Sequence, residues 1–277
     1  MMTAIDQKLT ELRAWFADAG SVLVCYSGGI DSALVLAAAH AALGSRAVAL
    51  TAVSPSLPAS ERADAARIAN QIGVTHLFVD SHELERPGYV ANAPDRCFHC
   101  KSELYEIAAK KAQELGLSTI VNGTNTDDLG DYRPGLEAAR NAAVRSPLVE
   151  IGMNKSAVRE AARALGIDAW DKPAAACLSS RIPYGTSVTP ERLTQIGRFE
   201  ADLRALGLRQ VRVRWHDTIA RIEVALEELP RLCASDVREE IVCIGKRHGF
   251  RYVTVDLAGY RTGSHNEVLD GRSLRVV

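Results

Sequence analysis

Residues 21–32 read SVLVCYSGGIDS: an apolar, β-branched run, two glycines, then the opening of an apolar helical pattern. Such a string is a buried strand that passes through a tight loop into a helix. Gly28 and Gly29 let the backbone turn sharply and bring bare N–H groups close to a ligand. The helix start adds positive potential, so the loop favours an anion such as pyrophosphate. Ser27 and Ser32 add hydroxyl donors, and Asp31 is a candidate for a magnesium ion that screens the phosphates. The string is neither the dinucleotide fingerprint GxGxxG nor a Walker A loop, since no lysine follows at the required place. A plain glycine turn with a Ser/Asp cap is the competing reading of an isolated Gly-Gly pair; the strand–loop–helix context favours a nucleotide site.

Outward from this loop, β-branched runs at 46–53, 74–80 and 118–124 alternate with helical spacing over 31–43, 59–72 and 101–115. Gly44, Gly73 and Gly116 close the three helices just past the last turn. The alternation predicts parallel strands with right-handed crossovers, an α/β fold with a doubly wound sheet whose ligands sit at the carboxyl ends of the strands. A helix over 154–165 ends this first domain, residues 1–170. Composition then changes: residues 171–190 hold three prolines, one glycine and five Ser/Thr. Thr189 and Pro190 are a cap and a first-turn proline, predicting a helix to about residue 206. Strands at 209–217 and 219–225, a helix over 236–248 and a strand at 251–257 make a second, smaller α+β domain, residues 171–277. The tail, 263–277, is expected to be loosely ordered.

Composition narrows the function. The 277 residues carry 33 Lys+Arg against 34 Asp+Glu, a net charge of -1, with 47% hydrophobic and 24% charged residues. These proportions exclude a disordered or low-complexity chain. Neutrality argues against a protein that works by gripping nucleic-acid backbone, which needs a Lys/Arg excess. No apolar run reaches membrane-span length, and the amphipathic start, with Asp6 and Glu11, lacks the core of a signal peptide. A cytoplasmic protein is expected, in which clustered cysteines serve metal binding or catalysis rather than bridging.

Three further stretches carry a resemblance: Gly123-Thr124-Asn125-Thr126-Asp127-Asp128 with Asp131-Tyr132-Arg133-Pro134-Gly135; the run CLSSRIPYG at 177–185; and Arg212-Val213-Arg214. SGGIDS resembles the PP-loop of the ATP pyrophosphatase superfamily, adenine nucleotide alpha hydrolase-like in fold, whose members cleave ATP between the α and β phosphates and adenylate a substrate. Together the motifs resemble the LarE family of ATP-dependent sulfur transferases, which help build the nickel-pincer nucleotide of lactate racemase. The resemblance spans nearly the whole chain. It implies ATP and Mg2+ held by Ser27, Gly28, Gly29, Asp31 and Ser32, with Gly123, Thr124 and Asp128 facing the nucleotide across the strand ends. Asp127 or Asp128 would bind magnesium or orient the attacked phosphate, and Val53, ending the second strand, would help seat adenine through backbone groups. A strand-end turn rich in Asn and Asp is the alternative for GTNTDD.

Arg212 and Arg214 alternate on a strand and so share a face, where they form either a phosphate fork or a pair of solvated surface arginines. The resemblance assigns them to the phosphate of a pyridinium dicarboxylate mononucleotide. It places Ser180 and Arg181 against the same small-molecule nucleotide or the leaving AMP, with Glu200 and Glu223 lining the site. The second domain would transfer sulfur, bind substrate and build a homohexamer, with no nucleic-acid or membrane partner.

Cys177 lies beside Ser179, Ser180 and Arg181, a setting that favours the thiolate. By resemblance it is the sulfur-bearing position, and one form of the family sacrifices it to dehydroalanine. Cys97-Phe98-His99-Cys100 joined by Cys177 resembles the form that carries a [4Fe-4S] cluster on three cysteines, one iron being left for sulfide. A zinc site using His99, a redox pair, a nucleotide-binding iron–sulfur sensor and a tRNA thiolase with a patch of Arg198, Arg204, Arg209, Arg212 and Arg214 stay open as alternatives. Cys25, Cys233 and Cys243 read as buried core positions.

Overall fold

Thr3 starts α1 (Ala4–Ala19): its hydroxyl accepts from Asp6 N at 3.1 Å while Asp6 Oδ2 accepts from Thr3 N at 2.9 Å, a reciprocal cap. There follow β1 (Val22–Cys25), α2 (Ile30–Leu43), β2 (Ala47–Val53), α3 (Ala59–Ile72), β3 (Thr75–Asp80), α4 (Arg96–Leu115), β4 (Thr119–Val121), α5 (Pro134–Asn141) and α6 (Lys155–Ala164). The computed structural model describes residues 3–130, 134–168, 176–261, 263–266, 268 and 269. The motif residues 131–133, the stretch 169–175 around the expected boundary and most of the tail lie outside the described residues.

The four strands are parallel in the order β3-β2-β1-β4, as the alternating pattern predicts. The chain runs from β1 outward to β3 and returns to the other side of β1 as β4. The crevice at the carboxyl ends of β1 and β4 is therefore the switch point at which such sheets bind ligands. Strand alternation divides the apolar residues between two faces. Val22, Val24, Ala47, Ala49 and Val121 pack with α1, α2, α3 and α6, while Leu23, Cys25, Val48 and Leu50 pack with Tyr105, Ala108 and Ala112 of α4 and Ala138 of α5. Each fully buried Val or Leu contributes roughly 1.5–3 kcal/mol relative to exposure.

The chain forms two compact units, Met1–Arg86 with Asp95–Ala175, and Pro87–Pro94 with Ala176–Val277. The second therefore takes eight residues from within the first stretch of chain. Asn92, fully buried at φ 53°, binds that segment in: its Nδ2 donates to the carbonyls of Ile182, Pro183 and Thr186 at 3.2, 2.9 and 2.9 Å. The rest of the unit comprises α7 (Pro190–Ala205), β5 (Val211–His216), β6 (Ile219–Val224), α8 (Ser235–Arg247) and β7 (Tyr252–Val255). Its sheet has the order β5-β6-β7, antiparallel then parallel. Thr189 caps α7 by accepting from Arg192 N at 3.3 Å, with Pro190 in the first turn.

Two expectations change. α4 begins at Arg96 rather than near residue 101, so Cys97 and Cys100 stand in its first two turns; CFHC lacks the apolar period that announces a helix. Of the three cysteines read as core, only Cys25 is buried. Cys233 follows the short turn Leu229–Leu232, and Cys243 lies off the buried stripe of α8, which is Ile241, Ile244 and Gly245.

Candidate functional site

Gly28 takes φ +76°, and a methyl there would stand 2.9 Å from Ala65 Cβ of α3, so both conformation and space demand glycine. Behind it Ser27 and Ser32 meet Oγ to Oγ at 3.2 Å, and Ser32 Oγ donates to Gly29 O at 3.0 Å, which fixes the turn. Among the described residues no side chain caps α2 at Gly29, which suits its first amides to an anion. Gly123, two residues past β4, is pressed against the same helix start. A Cβ on it would lie 2.6 Å from Ser32 N and 2.8 Å from Ser32 Cα. The two motifs are thus packed backbone to backbone at the switch point.

Hydrogen bonds set the GTNTDD turn. Asn125 N donates to Asp128 Oδ2 at 3.0 Å and Asp127 N to Asn125 Oδ1 at 2.9 Å, while Thr124 N donates to Asn122 Oδ1 at 3.0 Å. Asn125 Nδ2 reaches across to Asp31 Oδ1 at 3.1 Å. The other Asp31 oxygen accepts from Lys155 Nζ, and Lys155 N donates to Asp127 Oδ2 at 3.0 Å. The sequence reading did not single out Lys155, because its partner stands 124 residues earlier and no local spacing marks the contact.

Val53 ends β2, its carbonyl accepting from Ser81 N at 2.8 Å. Nearby, Thr51 Oγ1 donates to Tyr26 O at 2.6 Å and lies 2.8 Å from His76 Nε2; burial holds the His76 pKa below its ordinary value. Glu83, also unforeseen, is buried and accepts from Ser54 Oγ at 2.7 Å and Ser56 Oγ at 2.5 Å, bracing the loop after β2.

Cys97 is exposed and Cys100 half-buried, one helical turn apart on α4. Lys101 follows them. Burial opposes its charge most strongly, yet Tyr105, Cys100, Cys25 and Cys97 together leave its pKa raised. Burial pushes the Cys25 thiol up to about 12, with Lys101 pulling weakly the other way. His99 Nε2 stands 3.4 Å from Asp95 Oδ2. Among the described residues, no three His, Cys, Asp or Glu side chains are grouped so as to hold a metal ion. The chain enters α4 from the segment that belongs to the second unit, not from a strand as a thioredoxin-like pair would.

Exposed Cys177 precedes a 3-10 turn, Leu178–Arg181, in that second unit. Its carbonyl accepts from Ser180 N at 3.0 Å, Ser180 Oγ at 2.8 Å and Arg181 Nη1 at 3.0 Å. Arg181 is itself 2% exposed, and its other donors, Nε and Nη2, go to Glu200 at 2.8 and 3.2 Å. Glu200 also accepts from Val213 N at 3.0 Å and Arg204 Nη2 at 2.8 Å. Burial alone would raise its carboxyl; Arg181, Arg204 and Arg212 outweigh that and hold it below the ordinary value.

Arg212 and Arg214 are buried, which removes the reading of solvated surface arginines and breaks up the basic patch that an RNA reading would need. Arg214 donates to Ser180 O, Glu223 Oε2 and Ser264 Oγ at 2.8, 2.8 and 3.1 Å, yet its buried Nε has no hydrogen-bond partner among the described residues. It lines a cavity of about 290 Å³ with Arg181, Tyr184, His216, Arg221 and Ser264. A buried donor without a partner is costly unless a ligand supplies the acceptor.

The parallel sheet, the glycine loop and the abutting β4 turn define a PP-loop protein of the ATP-utilising kind. Residues 15–96 match the family described as Asparagine synthase. The chain is 35% identical over 271 residues to the pyridinium-3,5-bisthiocarboxylic acid mononucleotide synthase of Lactiplantibacillus plantarum, covering 97% of each. It is 45% identical over 265 residues to an uncharacterized protein of Synechocystis sp., covering 96% of this chain and 99% of that one. An uncharacterized protein of Methanocaldococcus jannaschii is 32% identical over 173 residues, 62% of this chain and 67% of that one. The chain belongs to the LarE family and is an ATP-dependent sulfurtransferase. No helix among the described residues is long and apolar enough to cross a membrane.

Proposed function

We propose that this enzyme converts the carboxylates of a pyridinium dicarboxylate mononucleotide to thiocarboxylates during nickel-pincer nucleotide biosynthesis. MgATP lies with its phosphates at Ser27, Gly28, Gly29, Asp31 and Ser32, flanked by Gly123, Thr124 and Asp128, with adenine towards Val53. A substrate carboxylate oxygen attacks the α phosphorus and pyrophosphate leaves. The acyl carbon of the adenylate is then attacked by sulfur, the C–O bond to AMP breaks, and a thiocarboxylate forms. Two carboxylates require two such rounds.

The observation that carries the substrate assignment is the cavity beside the Cys177 loop, where the Nε of buried Arg214 has no hydrogen-bond partner among the described residues and the guanidinium groups of Arg181 and Arg221 line the wall. That donor set suits the phosphate of a mononucleotide, which accepts several charge-assisted hydrogen bonds. Ser180 and Arg181 shape the loop, and Arg212 adds charge behind it.

Cys97, Cys100 and Cys177 are the residues that would hold a [4Fe-4S] cluster, and the two thiols one turn apart on α4 fit soft-metal ligation. Bound there, the cluster would supply an iron open to a terminal sulfide. The exposure of Cys177 favours a second reading, in which its thiolate displaces AMP to give a thioester. Removal of the cysteine α-proton then expels the thiocarboxylate and leaves dehydroalanine. A homohexamer in the cytoplasm belongs to the same proposal.

Anaerobically purified protein with MgATP and the dicarboxylate nucleotide is expected to release pyrophosphate and AMP and to form thiocarboxylate by mass spectrometry. Cys177→Ala should keep pyrophosphate release and lose the thiocarboxylate. Cys97→Ala separates the two sulfur sources: loss of iron together with product supports the cluster, whereas one turnover ending in dehydroalanine at position 177 supports sacrifice. Absence of pyrophosphate release from the wild-type protein would overturn the proposal.

A further inference from the structure

β2 outruns its neighbour on one side. Cys25 and Leu50 are the last residues matched between β1 and β2, whereas β2 and β3 stay paired as far as Val53 and Asp80. Leu50 O accepts from Tyr26 N on the β1 side, and Val53 O accepts from Ser81 N on the β3 side, both at 2.8 Å. In a trans peptide the N–H points away from the C=O, so Ser54 N–H turns to the side where β1 has ended. Ala52 C=O turns the same way, because backbone groups alternate sides along a strand. Neither group has a hydrogen-bond partner among the described residues. An acceptor beside a donor matches adenine, whose N6 donates and N1 accepts; guanine presents the reverse, O6 accepting and N1 donating.

We propose that Glu83 is the positioning residue of the base subsite, setting through Ser54 the backbone edge that selects adenine over guanine. Buried Glu83 accepts at Oε1 from Ser54 Oγ at 2.7 Å and Ser56 Oγ at 2.5 Å, and Ser56 N donates to Ser54 Oγ at 3.2 Å. The residue that carries the reading N–H is therefore held by its own side chain. Glu83 is placed in turn from α4, where Glu103 Oε1 accepts from Ser81 Oγ at 3.1 Å and His82 N at 2.5 Å. A loop that leaves its last strand partner would otherwise sample several conformations, and a buried carboxyl shared by two of its hydroxyls removes that freedom before a ligand arrives. The inference rests on the nucleotide reading, with adenine towards Val53, and adds to it a side chain that acts through Ser54 and Ser56 without touching the reacting atoms.

Calorimetric titration of the full chain with MgATP, MgGTP, AMP and magnesium pyrophosphate tests it, using wild type, Glu83→Ala and Glu83→Gln. Glu83→Ala should raise the Kd for MgATP and for AMP alike by about tenfold, and lower the ratio of the GTP to the ATP dissociation constant by a similar factor. Pyrophosphate, which has no base, should bind all three proteins within about twofold. Gln keeps an acceptor oxygen for the two hydroxyls, so Glu83→Gln should stay within about threefold of wild type for every ligand. Weakening of pyrophosphate along with ATP, an unchanged GTP-to-ATP ratio, or no weakening at all overturns the inference and leaves Glu83 a structural brace. Wild-type protein that binds MgATP no more tightly than MgGTP overturns the adenine reading itself.

Discussion

Asp31 and Lys155 meet in the first unit as one ion pair, with side chains 22% and 35% exposed, whereas Arg181 and Glu200 in the second unit are 1% and 0% exposed. Asp31 is held by Lys155 and by one amide, from Asn125. Glu200 is held by Arg181 through two donors, by Arg204 and by the backbone N–H of Val213. A half-buried pair keeps contact with solvent and costs less to separate, so its partners can exchange for a ligand. A buried carboxylate must keep its donors, because water is not there to replace them. The nucleotide loop is therefore built from exchangeable contacts and the Cys177 loop from permanent ones. The cavity next to Cys177 inherits that rigidity through Arg181 and Arg214, which touch the backbone of the loop directly.

The contrast breaks first on stability. Glu200→Ala strands the charges of Arg181 and Arg204 and the Val213 amide together, and should lower unfolding free energy by about 3–5 kcal/mol. Asp31→Ala, which removes a half-buried pair still in contact with solvent, should change it by about 1 kcal/mol. Urea unfolding of both variants, followed by circular dichroism, measures the difference. Comparable losses would mean that the two networks are not mechanically distinct.

These networks were unequally legible. The sheet, the glycine loop and most helices follow from periodicity and from glycines just past helix ends, which are local signals. Burial of Arg212 and Arg214 is not local. A strand alternating Arg and Val reads the same whether its polar face meets water or buried acids. Only the register that sets Arg212 opposite Glu223, and the approach of Arg214 to Glu223, shows the charges compensated. Lys155 escaped for the same reason, since its partner is remote in sequence. The second unit's claim on Pro87–Pro94 rests on Asn92, an ordinary polar residue in sequence whose three carbonyl partners exist only in the fold. Cys243 was misread because it falls near Ile241 and Ile244 in sequence but off their helical stripe.

Packing at the nucleotide loop gives the next effect in size. Gly123→Ala would drive a methyl into the Ser32 backbone, and backbone cannot rotate away as a side chain can. Overpacking of this kind costs about 1–3 kcal/mol, here by displacing the helix start proposed to receive the phosphates. MgATP affinity should fall about tenfold in equilibrium titration, while the Arg181–Glu200 network and the stability of the second unit stay unchanged. Unaltered ATP binding would show that the contact of the two motifs does not set the loop.

The smallest effect separates His76 from the Glu200 network by pH. Burial lowers the His76 pKa from its ordinary 6.5, so the folded chain disfavours the proton that the unfolded chain takes up. Above pH 6.5 both states are neutral there and stability is unaffected; as pH falls from 6.5 through the lower folded value, stability declines by at most about 1.4 kcal/mol per pH unit. His76→Gln should remove this component and keep a partner for Thr51 Oγ1. Glu200 behaves differently, since its carboxyl is held below 4.5 and its stabilisation is lost only on further acidification through that lower value. Thermal midpoints measured from pH 7 to pH 5 should therefore drop in the wild type, drop less in His76→Gln, and show no contribution from the arginine network over that range. A slope unchanged by His76→Gln would place the acid sensitivity elsewhere.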